Sequence, residues 1–179
     1  MSTTLADRTE TTTPLDAPAP LDAPEPLDVH ELAALTTSIA ERPELWRPLV
    51  QFQESGRWWT RLDGPPGVDV WLLTWLPSQG TELHDHGSSA AAFTIVGGTL
   101  TEFRPGPDAT PVPQAFATGR TQTVDPGDLH DVLNGGTEPA VSIHAYSPPL
   151  TRMTYWARTA EGQLVPARTV DTDEPETDK

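Results

Sequence analysis

The sequence predicts an all-β domain, an antiparallel sandwich or barrel of short strands. Three observations lead there. Runs of β-branched and aromatic residues recur at short intervals from about residue 57 onward. Breaks rich in Gly, Pro and Asp separate them: PSQG, GG, RPGPDATPVP, DPGD, NGGTEP and SPP. The chain also carries 20 Pro with only 36% hydrophobic residues, which favours turns and short strands over long helices. Its 179 residues suit one domain better than two.

Taken in order, residues 1–28 read as a disordered tail. PLDAPA, PLDAPE and PLD form a six-residue near-repeat whose prolines block backbone pairing and which holds little apolar surface. Asp28 then caps a predicted helix over 29–41, with Glu31 placed for a capping box and Leu32, Leu35 and Ile39 at helical spacing. Pro43 and Pro48 limit continuation, leaving room for a second short helix around 43–53 that buries Trp46, Leu49 and Phe52. Strands are expected at 68–75, 91–96, 99–104, 121–124, 130–133, 140–146 and 153–159. Residues 29–167 thus form the domain, and 168–179 read as a disordered acidic tail.

Of the net charge of −15, residues 1–28 carry −5 and 168–179 carry −3, leaving −7 on the middle. An acidic surface repels phosphate backbones, so nucleic acid is not an expected partner. There is no cysteine, so disulfides are impossible and any metal ligands must come from His, Asp and Glu. No signal peptide and no apolar run long enough for a membrane helix is visible, so a cytoplasmic monomer without membrane contact is the expectation.

The chemistry-bearing residues begin with His84 and His86 in LHDHGSS. In a strand, residues i and i+2 share a face, so both imidazoles can reach one ion while Asp85 points away. An HxH pair alone is a weak signal. Residues 80–98, however, resemble the first motif of the cupin superfamily: Gly80, then HxH, then Gly98. The carboxylate of that motif falls on Ala91 or Ala90 and is absent. The second cupin motif, G-x5-P-x-G-x2-H-x3-N, is matched by Gly119, Gly127, His130 and Asn134, with Asp125 in place of Pro. That resemblance implies His130 as the third ligand. Three neutral histidines leave positions on the ion open. The set suits zinc or iron, and for iron a substrate thiolate could supply the missing anion.

A second group lies in AVSIHAYSPP (140–149). Ser142, His144 and Tyr146 share one face of a strand, and Val141, Ile143 and Ala145 share the other. The polar face either meets solvent or lies inside as a hydrogen-bonded chain whose phenol reaches toward the metal.

The run TEPAVSIHAYSPP, with LHDH and GDLHDVLN, resembles cysteine dioxygenase, a cupin-fold non-haem iron family, over about residues 57–158. The resemblance implies a jelly-roll-like cupin β-barrel and one Fe(II) per chain on His84, His86 and His130. It further implies Ser142, His144 and Tyr146 as the catalytic triad, and a cis Ser147–Pro148 bond. WWTRL (58–62) is similar to the family's substrate-binding segment, which implies that Arg61 holds the substrate carboxylate and sets Trp59 beside the substrate. Trp75 aligns with a pocket-region Trp. Animal members cross-link the triad Tyr to a Cys. That position is Ala91 here, so Tyr146 should remain a free phenol.

The activity implied is addition of O₂ to a small thiol, most directly L-cysteine, giving a sulfinic acid. Alternatives are a dioxygenase for 3-mercaptopropionate or a related thiol carboxylate, a group that usually has Gln in place of Arg61, and a non-enzymatic metal- or ligand-binding cupin. A zinc hydrolase or isomerase cupin is a further rival.

Overall fold

The computed structural model describes residues 24–175. One helix, α1 (Val29–Ala40), precedes eleven strands: β1 (Trp59–Leu62), β2 (Asp69–Trp75), β3 (His84–Asp85), β4 (Ala90–Gly97), β5 (Thr99–Pro105), β6 (Pro111–Ala117), β7 (Thr121–Val124), β8 (Asp131–Leu133), β9 (Ala140–Ser147), β10 (Arg152–Arg158) and β11 (Leu164–Asp171). The all-β expectation therefore stands.

The strands form two layers. One is a five-stranded antiparallel sheet in the order β1-β2-β9-β4-β7. The other consists of two three-stranded sheets, β11-β10-β3 and β6-β5-β8. These are joined where His84 and His130 pair, each amide donating to the other's carbonyl at 3.0 Å. The result is a jelly-roll-like cupin fold whose ladder does not close continuously around a barrel. The junction of the two small sheets is also where two of the predicted ligands meet.

The inner face of the large sheet carries Trp71, Leu73 and Trp75 from β2, Ala91, Phe93 and Ile95 from β4, and Tyr146 from β9. These pack with Leu100, Val132, Met153 and Tyr155 of the opposite layer. The outer face carries Leu72, Ala92, Ile143 and Ala145, which pack under Leu32 and Ile39 of α1. The large sheet is thus covered on both sides. This explains why β2 and β9 are almost wholly buried, and why β2 from Val70 to Trp75 reads as a nearly continuous apolar run, whereas β9 keeps its alternation of polar and aliphatic residues with both faces covered.

Asp28 caps α1 as expected, with its carboxylate accepting from the amides of His30 and Glu31 and Glu31 reaching back to the Asp28 amide. The predicted tail lies mostly outside the described residues. Its last part does not behave as a tail: the Leu27 amide donates to Ser147 Oγ at 2.9 Å, and Leu27 packs on the outer core. The possible second helix is two 3₁₀ turns, Pro43–Leu45 and Arg47–Leu49. Trp46 is buried there, but Leu49 and Phe52 are exposed, because the two prolines break the periodicity that would align all three.

Two strands fall in segments that read as non-strand. Strand β6 contains Pro111 and Pro113, and β11 contains Pro166. Both lie at sheet edges, where a missing N–H interrupts no central ladder. Residues 168–171 accordingly belong to β11 and not to an acidic tail. Among the described residues, no helix is long and apolar enough to cross a membrane.

Candidate metal centre

His84 lies in β3 and His86 just beyond it, in a turn held by Asp85. Asp85 Oδ1 accepts from the Gly87 amide at 2.8 Å, and Oδ2 accepts from Trp156 Nε1 at 2.7 Å. The intervening carboxylate therefore pins the HxH segment to β10 instead of reaching the ion site. His130 enters from the start of β8. All three imidazoles are buried, with ring centroids 4.7 to 5.1 Å apart.

The tautomers are set from behind. His84 Nδ1 lies 2.8 Å from the Glu82 carbonyl, and His130 Nδ1 lies 2.8 Å from Glu102 Oε1. Both rings thereby turn Nε2 inward. His84 Nε2 and His86 Nε2 are 3.1 Å apart, and one ligand atom from each of the three residues lies within 4.8 Å of the others. Two nitrogens bound to one ion at about 2.1 Å each would be separated by a similar distance. His130 Nε2 is buried with no hydrogen-bond partner. A buried ring nitrogen aimed at two other imidazole nitrogens is costly unless something binds it. The residues present fit a single metal ion.

Glu102, on β5, is the residue that sequence reasoning missed. No motif marks it. Its carboxylate is buried against His130, and Arg104 Nη2 donates to it at 3.0 Å. Burial pushes its carboxyl up, but the hydrogen bonds and charges of His130 and Arg104 outweigh that and hold it below its ordinary value. The centre thus has a buried anion one residue behind the ligands, though the carboxylate of the cupin motif is missing from among them.

Ser142, His144 and Tyr146 face inward on β9, all buried. Trp75 Nε1 donates to Ser142 Oγ at 2.9 Å, Ser142 Oγ lies 2.9 Å from His144 Nε2, and His144 Nδ1 lies 3.4 Å from the Tyr146 hydroxyl. An indole N–H can only donate. The serine proton is then best used on Nε2 of His144, which leaves Nδ1–H facing the phenol oxygen. The Tyr146 and His86 rings are 5.0 Å apart. The stripe is therefore interior, and α1 explains why the aliphatic face of β9 is buried as well.

The model of the family described as "Cysteine dioxygenase type I" matches residues 19–159. This chain belongs to that family. It is 28% identical over 162 residues to cysteine dioxygenase type 1 of Danio rerio, spanning 74% of this chain and 79% of the relative. It is 29% identical over 131 residues to the Rattus norvegicus protein of the same name, spanning 68% of this chain and 66% of the relative. Among solved structures, a conserved Klebsiella pneumoniae protein with a double-stranded beta-helix domain superposes with a TM-score of 0.50 at 15% identity, over 68% of this chain and 93% of that one. At that identity the likeness concerns the fold alone.

Against the cysteine dioxygenase resemblance, Ala91 lies directly opposite Tyr146 on the neighbouring strand, so the position expected for the cross-linking Cys presents only a methyl group. The Ser147–Pro148 bond is cis. Trp59 is half-buried, its ring 6.2 Å from Trp71, which in turn lies 4.8 Å from Tyr146. Arg61 follows on the same face of β1, over the Trp71 ring at 5.8 Å, but it sits half-exposed and already engaged. Its Nη1 contacts Asp69 at 3.0 Å, and its Nη2 contacts both the carboxylate and the carbonyl oxygen of Asp173. Asp173 was assigned to the tail by its sequence, so this contact had no local signal.

Proposed function

We propose that this protein is an iron(II)-dependent thiol dioxygenase that converts L-cysteine and O₂ to cysteine sulfinic acid. Both oxygen atoms go to sulfur, which loses four electrons while O₂ gains four, so no further reductant is needed. The observation that carries the reading is the conjunction of a three-histidine cluster with a buried Ser142–His144–Tyr146 chain whose phenol abuts His86. A carrier or sensor would need the first and not the second.

His84, His86 and His130 would hold the ion, which supplies a place for thiolate and O₂ to meet and the electronic coupling between them. The chain's own residues do the rest. Arg61 binds the substrate carboxylate at the rim. Tyr146 holds a proton at its hydroxyl, with His144 and Ser142 keeping that hydroxyl oriented. Trp71, Phe93 and Tyr155 wall the site with apolar surface that excludes water.

The test is O₂ uptake by anaerobically purified, iron-loaded protein with cysteine, 3-mercaptopropionate and 2-mercaptoethylamine, with products identified by mass. Uptake should depend on thiol and be greatest with cysteine. A fully loaded protein that consumes no O₂ with any thiol would overturn the reading.

A further inference from the structure

The segment after β11 crosses the rim of the domain and is anchored there. The Thr172 amide donates to the Thr151 carbonyl at 3.0 Å, and Thr172 Oγ accepts from the Glu174 amide at 3.0 Å, which turns the chain. Pro175, at the end of the described chain, is buried. This turn presents Asp173 to Arg61. One Nη1 contact to Asp69 and two Nη2 contacts to Asp173 place the guanidinium between two acids of its own chain, one from β2 and one from the C-terminal strap.

A guanidinium offers its forked donors to one carboxylate at a time along each edge. With Asp69 and Asp173 both in place, the group of three carries a net negative charge. An incoming carboxylate would meet repulsion and find the Nη2 edge taken. Asp69 is built in: its other oxygen accepts from the Leu150 amide at 3.2 Å, and its side chain is 13% exposed. Asp173 has a side chain 81% exposed, and its described contacts are those with Arg61. Of the two, Asp173 is the one that can leave.

We propose that Asp173 is a specificity-determining residue, an internal carboxylate that occupies the substrate-carboxylate position on Arg61 until a thiol carboxylate displaces it. This rests on the reading of Arg61 as the carboxylate-binding group. The strap competes with carboxylate-bearing thiols and is indifferent to thiols without one. Its hold is that of an exposed ion pair, so the effect on substrate affinity is several-fold and not orders of magnitude.

The experiment compares Asp173→Asn with the unaltered full-length, iron-loaded protein. Asp173→Asn should lower KM for cysteine and 3-mercaptopropionate by about two- to five-fold, the range an exposed ion pair supports. It should leave kcat, and KM for 2-mercaptoethylamine, unchanged. In the unaltered protein, amide hydrogen exchange across residues 172–174 should quicken when 3-mercaptopropionate is added, a readout independent of turnover. An unchanged or raised KM, or a strap whose exchange slows as if closing over the substrate, overturns the proposal. Arg61→Ala separates the two ideas. If it raises KM for the carboxylate thiols while Asp173→Asn has no effect, the strap fails and the Arg61 reading stands. If Arg61→Ala leaves those KM values unaltered, both fall.

Discussion

Glu102 and His130 face each other at 2.8 Å in the interior, and their pairing shows how much of a metal centre lies behind its ligands. An anion on Nδ1 fixes the tautomer and makes Nε2 a better donor, and removing such a partner typically costs about 10- to 100-fold in metal affinity. Glu102→Gln should therefore weaken iron(II) binding by about that factor in a chelator competition, with the fold intact by circular dichroism. Unchanged affinity would reduce Glu102 to a packing role. At Tyr146 the expectation differs. Tyr146→Phe keeps the ring against Trp71 and loses only the hydroxyl, so iron content should hold while thiol-dependent O₂ uptake falls by about 100-fold or more. Retained uptake would show that the phenol moves no proton in this reaction. At this scale the HxH pair and the serine–histidine–tyrosine stripe were visible in their spacing, and His130 came from the resemblance to the second cupin motif. Glu102 was not, because a carboxylate on β5 acquires meaning only when β8 is laid beside it.

Helix α1 is the element that turns an amphipathic sheet into a covered one. It packs on β4 and β9 through Leu32 and Ile39, and Thr36 Oγ1 accepts from Thr94 Oγ1 at 2.9 Å. Its start depends on Asp28. The Glu31 amide holds the Asp28 carboxyl below its ordinary value of 3.8, against an opposing effect of burial, and the His30 amide adds to the lowering. A depressed carboxyl stabilises the fold where it is ionised in both states. The contribution is complete above the ordinary value and is lost as pH falls through the lowered one. Asp28→Ala should lower the melting temperature at neutral pH by about 2–4 °C, and the gap between the two proteins should close in strong acid. A gap that persists in acid would mean the cap acts through something other than its charge. The helix and its cap were legible because a capping box is a four-residue pattern, here Asp28 to Glu31. Strands β6 and β11 were not, since their prolines read as breaks and become tolerable only at an edge, and an edge is a property of the assembled sheet.

At the scale of the whole molecule, the ion site joins two small sheets, with β3 contributing from one and the entry to β8 from the other. Metal binding should thus stabilise the domain as a unit. With free iron(II) at 100 times Kd, the linkage is about 2.7 kcal/mol, or about 5–10 °C in melting temperature for a domain of this size. Anaerobic thermal melts with and without iron, and with His130→Ala as a control that shows no shift, would check it. The same closure separates what neighbours in the chain can encode from what they cannot. Alternation with period two, the HxH spacing, the capping box and the Pro/Gly breaks are relations between residues a few positions apart, and they sufficed for an all-β class, the HxH pair and the polar stripe, while His130 was added only by the resemblance to the second cupin motif. Folding settled which face of β9 turns inward, because that depends on a helix more than a hundred residues earlier. It also brought Glu102 to His130 across 28 positions and Asp173 to Arg61 across 112. Contacts at such separations leave no mark in local composition; they exist only once the sheets have paired.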